Sequence, residues 1–218
     1  MKFALRGDER VEPSPKQTAY CTCCGSEMIA KCGNVKVWHW AHKTKKLCDH
    51  WWENETPWHR TWKNQFPIDW QEVIHFADDG EKHIADLKTP SGLVIEFQHS
   101  RIKPEEIHER SKFYQNIVWV VDAQKFKKER EWILYDFPQS VQIEDFDYCN
   151  DIPNSVWSGL NVPIFFDLGY DDWLIGQIPQ MGSDHFFYKR HYLKKDYFCR
   201  TITKAGTYRP GKMKPPRS

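Results

Sequence analysis

The sequence predicts an α/β fold in which helices cover a mixed β-sheet. Three observations support this prediction: helical signals precede the first strand, alternating residues mark three strands between residues 70 and 98, and a second helical segment leads into an apolar strand at 117–121. Strands joined by a short loop pair antiparallel, whereas a helical crossover joins parallel strands. The order helix, three strands, helix, strand therefore indicates a mixed sheet.

The first helix is predicted from Asn54 to about Phe66. Asn54 can serve as the N-cap, and Pro57 is tolerated in the first turn because its missing N–H would have no partner there. Side chains four residues apart lie on one stripe of a helix. The sequence contains an apolar stripe of Trp58, Trp62 and Phe66 and a neighbouring polar stripe of Glu55, His59 and Lys63.

Three strands are predicted to follow, at 70–77, 82–88 and 93–98. Between the last two, Pro90-Ser91-Gly92 suits a three-residue hairpin loop, with Pro opening a type I turn and Gly in a left-handed conformation. If Thr89 faces Leu93 across this loop, the register of the hairpin is set for the residues on both sides.

This register places Asp86 opposite Glu96, with Gln98 on the same face because side chains repeat every second residue along a strand. Two facing carboxylates repel each other, and a divalent cation would relieve the repulsion. Oxygen ligands of this kind suit Mg²⁺ or Mn²⁺. The alternative is the solvated polar face of an amphipathic hairpin.

Later segments complete the predicted organisation. Pro and acidic residues from Lys103 to Glu106 open a second helix, and the segments 162–168 and 173–178 are predicted to form a further hairpin. Three regions are expected: a Cys/His-rich module at 1–50, a core at 51–150, and a C-terminal sheet extension with a basic tail at 151–218.

The cysteine pattern favours metal binding over disulfides. No signal-peptide-like or membrane-spanning apolar run is visible, which predicts a cytoplasmic protein without membrane contact. The chain has seven cysteines, an odd number, and in a reducing compartment cysteines crowded beside histidines indicate a metal site. The crowded set is Cys21, Cys23, Cys24, Cys32 and Cys48.

Charge is distributed unevenly although the formal net charge is only +1. Residues 1–50 hold nine Lys/Arg against five Asp/Glu, residues 51–188 hold twelve against twenty-four, and residues 189–218 hold ten against one. Basic ends around an acidic middle suit a cation-binding site whose polyanionic substrate is held from outside. The alternative for the last ten residues or so is a solvated, disordered tail.

The order of motifs along residues 20–121 is more specific than any one of them. A CxxC pair, an HWAH motif, a helix with Glu and His, a strand Asp, a Glu-x-Gln and an Arg before a Tyr follow one another. They are Cys21 and Cys24, His39-Trp40-Ala41-His42, Glu55 and His59, Asp86, Glu96 and Gln98, and Arg110 and Tyr114. This order resembles the CoiA-like competence protein family, a branch of the PD-(D/E)xK nuclease superfamily. The resemblance implies a restriction-endonuclease-like sheet flanked by helices, with an N-terminal zinc-binding module.

The resemblance and the ligand chemistry agree on a structural Zn²⁺ site. Two thiolates and two imidazoles form a closed tetrahedral shell, and such an ion would supply folding energy to a short polar segment. The expected ligands are Cys21, Cys24, His39 and His42, while Cys23, Cys32, Cys48 or His50 could replace one of them.

The resemblance also implies catalytic roles. Asp86 and Glu96 would bind Mg²⁺ (or Mn²⁺), and Glu55 would reach the same ion or a second one. Gln98 stands where the superfamily has Lys, and because an amide cannot take a proton it would only position water or phosphate. His59 would contact the phosphate or act as acid or base, or else be a surface or core-edge histidine of the helix.

Other residues are expected to be mainly structural. Arg110 and Tyr114 should pack and form ion pairs, and most of the eleven tryptophans should lie in the core, although some could stack on unpaired bases. Lys43, Lys45 and Lys46 could touch backbone phosphates or form a solvated face.

The leading hypothesis is a Mg²⁺-dependent deoxyribonuclease acting in DNA processing, recombination or defence against foreign DNA. Two alternatives are a non-catalytic, zinc-stabilised nucleic-acid-binding module and an RNA-cleaving nuclease.

Overall fold

A computed structural model describes residues 1–44, 48–125, 146–149, 155–157, 159–169, 173–181 and 186–208. The chain divides into two compact units, Met1–Lys88 and Thr89–Ser218. The division into three regions at about residues 50 and 150 stays a prediction. Lys45, Lys46 and the basic end of the tail lie outside the described residues.

The first unit begins with a five-stranded antiparallel sheet in the order β2-β1-β3-β4-β5. Its core contains the buried side chains of Ala4, Ala19, Met28 and Trp40. The strands are β1 (Ala4–Arg6), β2 (Glu9–Val11), β3 (Thr18–Tyr20), β4 (Glu27–Lys31) and β5 (His39–His42). The HWAH motif is therefore a complete β-strand.

Helix α1 (Pro57–Lys63) is shorter than the sequence predicts. Its N-cap is Thr56, not Asn54, because the Thr56 hydroxyl accepts the backbone N–H of His59 at 3.3 Å. Trp62 is buried as predicted, but His59 and Lys63 from the polar stripe are buried as well. Both stripes of the helix therefore face protein, which requires partners for the buried polar groups.

Strands β6 (Gln71–Phe76) and β7 (Lys82–Lys88) form an antiparallel hairpin close to the predicted ranges. Along β7, Ala85 and Leu87 are fully buried whereas Asp86 is partly exposed. The predicted alternation, with Ala85 and Leu87 on one face of the strand and Asp86 on the other, is confirmed.

The second unit has a mixed sheet in the order β8-β9-β11-β12-β13-β10. Strands β8, β9 and β11 are parallel, and the remaining neighbours are antiparallel. The strands are β8 (Val94–Gln98), β9 (Ile117–Asp122), β10 (Phe146–Cys149), β11 (Ile164–Asp167), β12 (Trp173–Met181) and β13 (Phe186–Lys194). The α/β class, the mixed sheet and the β11–β12 hairpin are confirmed.

The described residues of this unit include two helices, α2 (Pro104–Tyr114) and α3 (Lys195–Ala205). Helix α2 begins where Pro and two acidic residues predict it and connects the parallel strands β8 and β9. None of the helices in the described ranges combines the length and the apolar character that crossing a bilayer requires.

Candidate functional site

Four metal-type ligands converge in the first unit: Cys21, Cys24, His42 and Cys48, whose ligand atoms all lie within 4.8 Å of one another. A tight turn after β3 supplies the first two. Gly25 N–H donates to the Cys21 carbonyl at 2.9 Å, and Gly25 adopts φ +70°, a conformation that favours glycine. His42 ends β5, and Cys48 follows in the loop.

The spacing of these atoms fits a tetrahedral zinc shell. Zn–S bonds of about 2.3 Å and Zn–N bonds of about 2.05 Å at tetrahedral angles separate two sulfurs by about 3.8 Å and a sulfur from a nitrogen by about 3.6 Å. Cys21 Sγ lies 3.6 Å from Cys48 Sγ, and Cys24 Sγ lies 3.3 Å from His42 Nε2. Burial raises the pKa of the Cys21 thiol, so a cation is what would favour its thiolate.

The structure departs from the predicted zinc set at His39, whose place in the group is taken by Cys48. His39 and His42 lie three residues apart on β5, and residues at odd separations point to opposite faces of a strand. His39 Nδ1 lies instead 2.8 Å from the Val37 carbonyl. Two ligands separated by two residues can bind one ion where the backbone turns between them, as it does between Cys21 and Cys24, but not where they lie on an extended strand.

A second feature of this unit is a buried ammonium group surrounded by three carboxylates. Lys63 Nζ lies 2.8 Å from Glu55 Oε2, 3.1 Å from Glu72 Oε1 and 3.4 Å from Asp86 Oδ1. Burial alone would lower the pKa of Lys63, but the charges of Glu72, Asp86 and Glu55 outweigh it and raise the pKa. The lysine therefore stays charged at 2% exposure.

Glu72 completes this network from β6 in a strained backbone conformation, φ +49°. Its carboxylate accepts the backbone N–H groups of Lys2 and Phe3 at 2.7 and 2.9 Å. Burial opposes its ionisation, but Lys63 and these donors lower the pKa of Glu72 to about 2. Asp86 differs because its side chain remains 24% exposed, so it is the member of the network that solvent reaches best.

His59 lies one turn before Lys63 and is buried. Its Nδ1 is 2.8 Å from the Thr56 hydroxyl, and its Nε2 is 3.3 Å from Glu53 Oε2. Burial acts to lower the pKa of His59, but the hydrogen bond to Glu53 and the charge of Asp86 raise it above the ordinary value. The geometry therefore favours the imidazolium form.

In the second unit, Glu96 and Gln98 share one face of β8, as their spacing predicts. Both are 3% exposed. Arg110 donates to Glu96 Oε2 at 3.1 Å and also pairs with Glu106. The Gln98 amide donates to the Ser100 carbonyl at 3.0 Å. The predicted ion-pairing role of Arg110 is thus confirmed.

The turn that precedes β8 has the predicted geometry. Thr89 N–H donates to the Leu93 carbonyl at 2.8 Å, and Gly92 N–H donates to the Thr89 carbonyl at 2.9 Å. Gly92 adopts φ +85°, the left-handed conformation expected of it. The register that would place Asp86 opposite Glu96 stays a prediction.

Lys63 and Glu72 are the residues that sequence reasoning missed. Lys63 was placed on the polar stripe with Glu55 and His59, but the periodicity of a helix does not say which face is buried when both carry large side chains. The signal that the sequence offers is the presence of acidic residues: Glu55 on the same helix stripe as Lys63, and Glu72 and Asp86 on the strands that follow.

Comparison with known proteins gives two family matches along the chain. Residues 8–50 match the family described as competence protein CoiA, N-terminal domain, and residues 84–146 match competence protein CoiA, nuclease-like domain. One relative, competence protein CoiA of Bacillus subtilis (strain 168), is 24% identical over 139 residues, which cover 58% of this chain and 37% of the relative. The chain therefore spans little more than a third of that relative's length. No solved structure matches it.

Proposed function

We propose that the chain, which is similar to the CoiA-like competence proteins over residues 8–50 and 84–146, is a metal-dependent nuclease that hydrolyses DNA phosphodiester bonds. The match to a nuclease-like domain over residues 84–146 supports a nuclease-related role. The observation that carries the proposal is the presence within that match of two carboxylates on neighbouring strand segments, Asp86 on β7 and Glu96 on β8, with Gln98 two residues after Glu96.

Asp86 and Glu96 are proposed to hold a catalytic Mg²⁺ or Mn²⁺, and Glu55 is proposed to approach the same site. Carboxylate oxygens are the ligands that these hard cations prefer. Glu55 is paired with Arg60 as well as with Lys63, so the partly exposed Asp86 is the carboxylate of this network proposed to offer its oxygens to the ion. Such an ion lowers the pKa of a bound water and neutralises charge that develops on the scissile phosphate.

Gln98 and His59 are proposed to position the reactants. The Gln98 amide is fixed by its hydrogen bond to Ser100, and it can orient water but cannot accept its proton. The raised pKa of His59 favours a cation, which suits contact with a phosphate or donation of a proton to the leaving oxygen more than proton abstraction.

The Cys21, Cys24, His42 and Cys48 group is proposed to be a structural Zn²⁺ site. Three thiolates and one imidazole close the tetrahedral shell and leave no position for substrate. Zinc would join the β3–β4 turn, the end of β5 and the following loop, and so contribute folding energy to the N-terminal sheet.

Reconstitution with Co²⁺ tests the composition of this site. Cys48→Ser is expected to weaken the intense sulfur-to-cobalt charge-transfer absorption and to lower the affinity at least about 10-fold, because a hydroxyl is a poor substitute for a thiolate ligand. His39→Ala, the control variant, is expected to retain the absorption of the unmodified chain. Loss of the absorption in His39→Ala but not in Cys48→Ser would instead support the ligand set predicted from the sequence, in which His39 binds the ion and Cys48 does not.

The proposed substrate is DNA, on the grounds of the family and of the strongly basic residues 189–218. Purified chain with Mg²⁺ or Mn²⁺ is expected to cleave DNA, and a chelator should stop cleavage. Linear, circular and single-stranded DNA and RNA of the same sequence, assayed in parallel, distinguish DNA from RNA cleavage and internal from terminal cuts. Exclusive cleavage of RNA would contradict the choice of substrate.

One observation favours a second candidate, a non-catalytic nucleic-acid-binding module. Glu96 is nearly buried and already forms a salt bridge with Arg110, which competes with a metal ion for the carboxylate. Nucleic-acid binding that requires no divalent ion, with no cleavage under Mg²⁺ or Mn²⁺, would support this candidate.

The cytoplasmic location stays a prediction.

A further inference from the structure

A second group of metal-type ligands lies in the first unit and shares no residue with the four-ligand zinc group. It consists of Asp49, His50 and His83, whose ligand atoms lie within 4.8 Å of one another. Asp49 and His50 directly follow Cys48 in the loop, and His83 is the second residue of β7. Two imidazoles and a carboxylate form a donor set typical of divalent transition metals.

His83 is held in an arrangement typical of metal-binding histidines. It is buried at 3% exposure, and the Trp51 ring stacks on it at a centroid distance of 3.4 Å and an interplanar angle of 21°. Its Nδ1 lies 2.8 Å from Asp49 Oδ1, and its Nε2 lies 3.0 Å from Glu81 Oε1. A ligating histidine commonly donates its other ring N–H to a carboxylate, which fixes its tautomer and orientation, and Glu81 is placed to accept it.

Asp49 is positioned by backbone donors and does not need an ion to hold it. The Ile84 N–H donates to Oδ2 at 2.8 Å, and the Trp51 N–H donates to Oδ1 at 3.0 Å. Each carboxylate oxygen has two lone pairs, so beside its backbone bond Oδ1 can face either a protonated His83 Nδ1 or a cation that both atoms bind. Asp49 and His83 thus form a preorganised pair of ligands within a buried part of the unit.

His50 supplies the third ligand from the exposed side of the loop. Its ring meets the His83 ring edge-on at a centroid distance of 5.0 Å. His50 is exposed, whereas Asp49 and His83 are buried. We therefore expect the fourth coordination position of a bound ion to face the solvent. A fourth position for water or another small ligand is what distinguishes an open metal site from a closed structural one.

We propose that Asp49, His50 and His83 bind one divalent transition-metal ion, with Glu81 orienting His83 and with the fourth coordination position open to solvent. The proposal does not depend on nuclease activity. It makes the chain a two-metal protein in this region, with a closed thiolate site and an open imidazole–carboxylate site on either side of the Cys48–Asp49 peptide bond.

Metal stoichiometry of the full chain tests the proposal. Titration with Zn²⁺, followed by elemental analysis after exhaustive dialysis, is expected to give two equivalents. His50→Ala, at an exposed position that the fold does not require, is expected to weaken the second equivalent at least about 10-fold, and Glu81→Gln is expected to weaken it about 10- to 100-fold. His108→Ala, which removes an exposed histidine from helix α2, should leave both equivalents unchanged.

Co²⁺ spectra separate the two sites. The first equivalent should produce sulfur-to-cobalt charge transfer, and the second should add only the weak bands of nitrogen and oxygen ligands. Saturation of the unmodified chain at one equivalent would overturn the proposal and identify the group as a hydrogen-bonded loop anchor. Equal affinity for the second equivalent in His50→Ala and in the unmodified chain would overturn it too.

Discussion

Asp86→Asn is expected to lower the rate of DNA cleavage by about a thousandfold, because it removes a negative ligand of the proposed catalytic ion. The substitution preserves shape, and the side chain is 24% exposed, so the fold should tolerate the change. The charge of Lys63 would still be balanced by Glu55 and Glu72. Initial rates at saturating Mn²⁺ and Mg²⁺, with thermal unfolding measured in parallel, provide the comparison.

Asp78→Asn is the matched control, since Asp78 is an exposed carboxylate in the loop that joins β6 and β7. It should leave both cleavage and unfolding temperature unchanged. Glu96→Gln is expected to abolish cleavage as well, but it also takes a charged partner from Arg110 and should lower stability. Cleavage by Asp86→Asn at the rate of the unmodified chain would exclude Asp86 from the catalytic centre.

The positions of helices and strands followed from the sequence where local signals were strong. Asp86 stands between the apolar Ala85 and Leu87 in β7, Gly92 marks a left-handed turn position, and Pro104 with two acidic residues marks a helix start. These signals act within a few residues and are largely independent of tertiary structure. The same locality explains why the start of α1 was misplaced by two residues, since Asn54 and Thr56 are both good N-caps.

The ligands of the candidate metal sites were harder to predict from the sequence than the helices and strands, because they depend on which way the backbone turns. HWAH suggests a clasp when its spacing is counted, yet as strand β5 it separates His39 from His42. Cys48 lies 27 residues from Cys21 in the sequence, and only the fold brings the two sulfurs together. Asp49 and His83 are likewise brought together by a contact between a loop and β7, which no local sequence pattern predicts.

Lys63→Met is expected to lower the free energy of unfolding by about 3–5 kcal/mol, because it removes the side-chain cation from the buried Glu72 and leaves Glu55 with Arg60 alone. Glu55 and Glu72 are close to Lys63 Nζ, and the pKa of Glu72 is lowered to about 2 largely through this charge. Without the ammonium, the pKa of Glu72 should rise, and stability should improve as acidification protonates the carboxylates. Denaturant unfolding at several pH values measures both effects.

Lys2→Met is the matched control, because Lys2 is also a buried lysine of the same unit. Its Nζ donates to the neutral acceptors Asn64 Oδ1 at 2.6 Å and Gln71 Oε1 at 2.8 Å, and the carboxylate it pairs with, Glu12 Oε1 at 3.6 Å, is 52% exposed and so is hydrated without it. Loss of such bonds costs about 1–3 kcal/mol and should not create the same dependence on pH. An equal loss of stability in the two variants, with the same dependence on pH, would show that Lys63 is not the charge that holds the carboxylates together.

Cleavage by the Lys63 variant, measured where it is still folded, extends the argument from stability to the site. Lys63 Nζ lies 3.4 Å from Asp86 Oδ1. Lys63 is therefore the buried cation that fixes Asp86, and Lys63→Met should lower cleavage about 10- to 100-fold, as loss of a residue that orients a metal ligand does. Lys63→Arg keeps the charge and should restore part of the loss, whereas Lys2→Met should cleave at the unmodified rate. Equal cleavage by the Lys63→Met and Lys2→Met variants would confine Lys63 to a structural role.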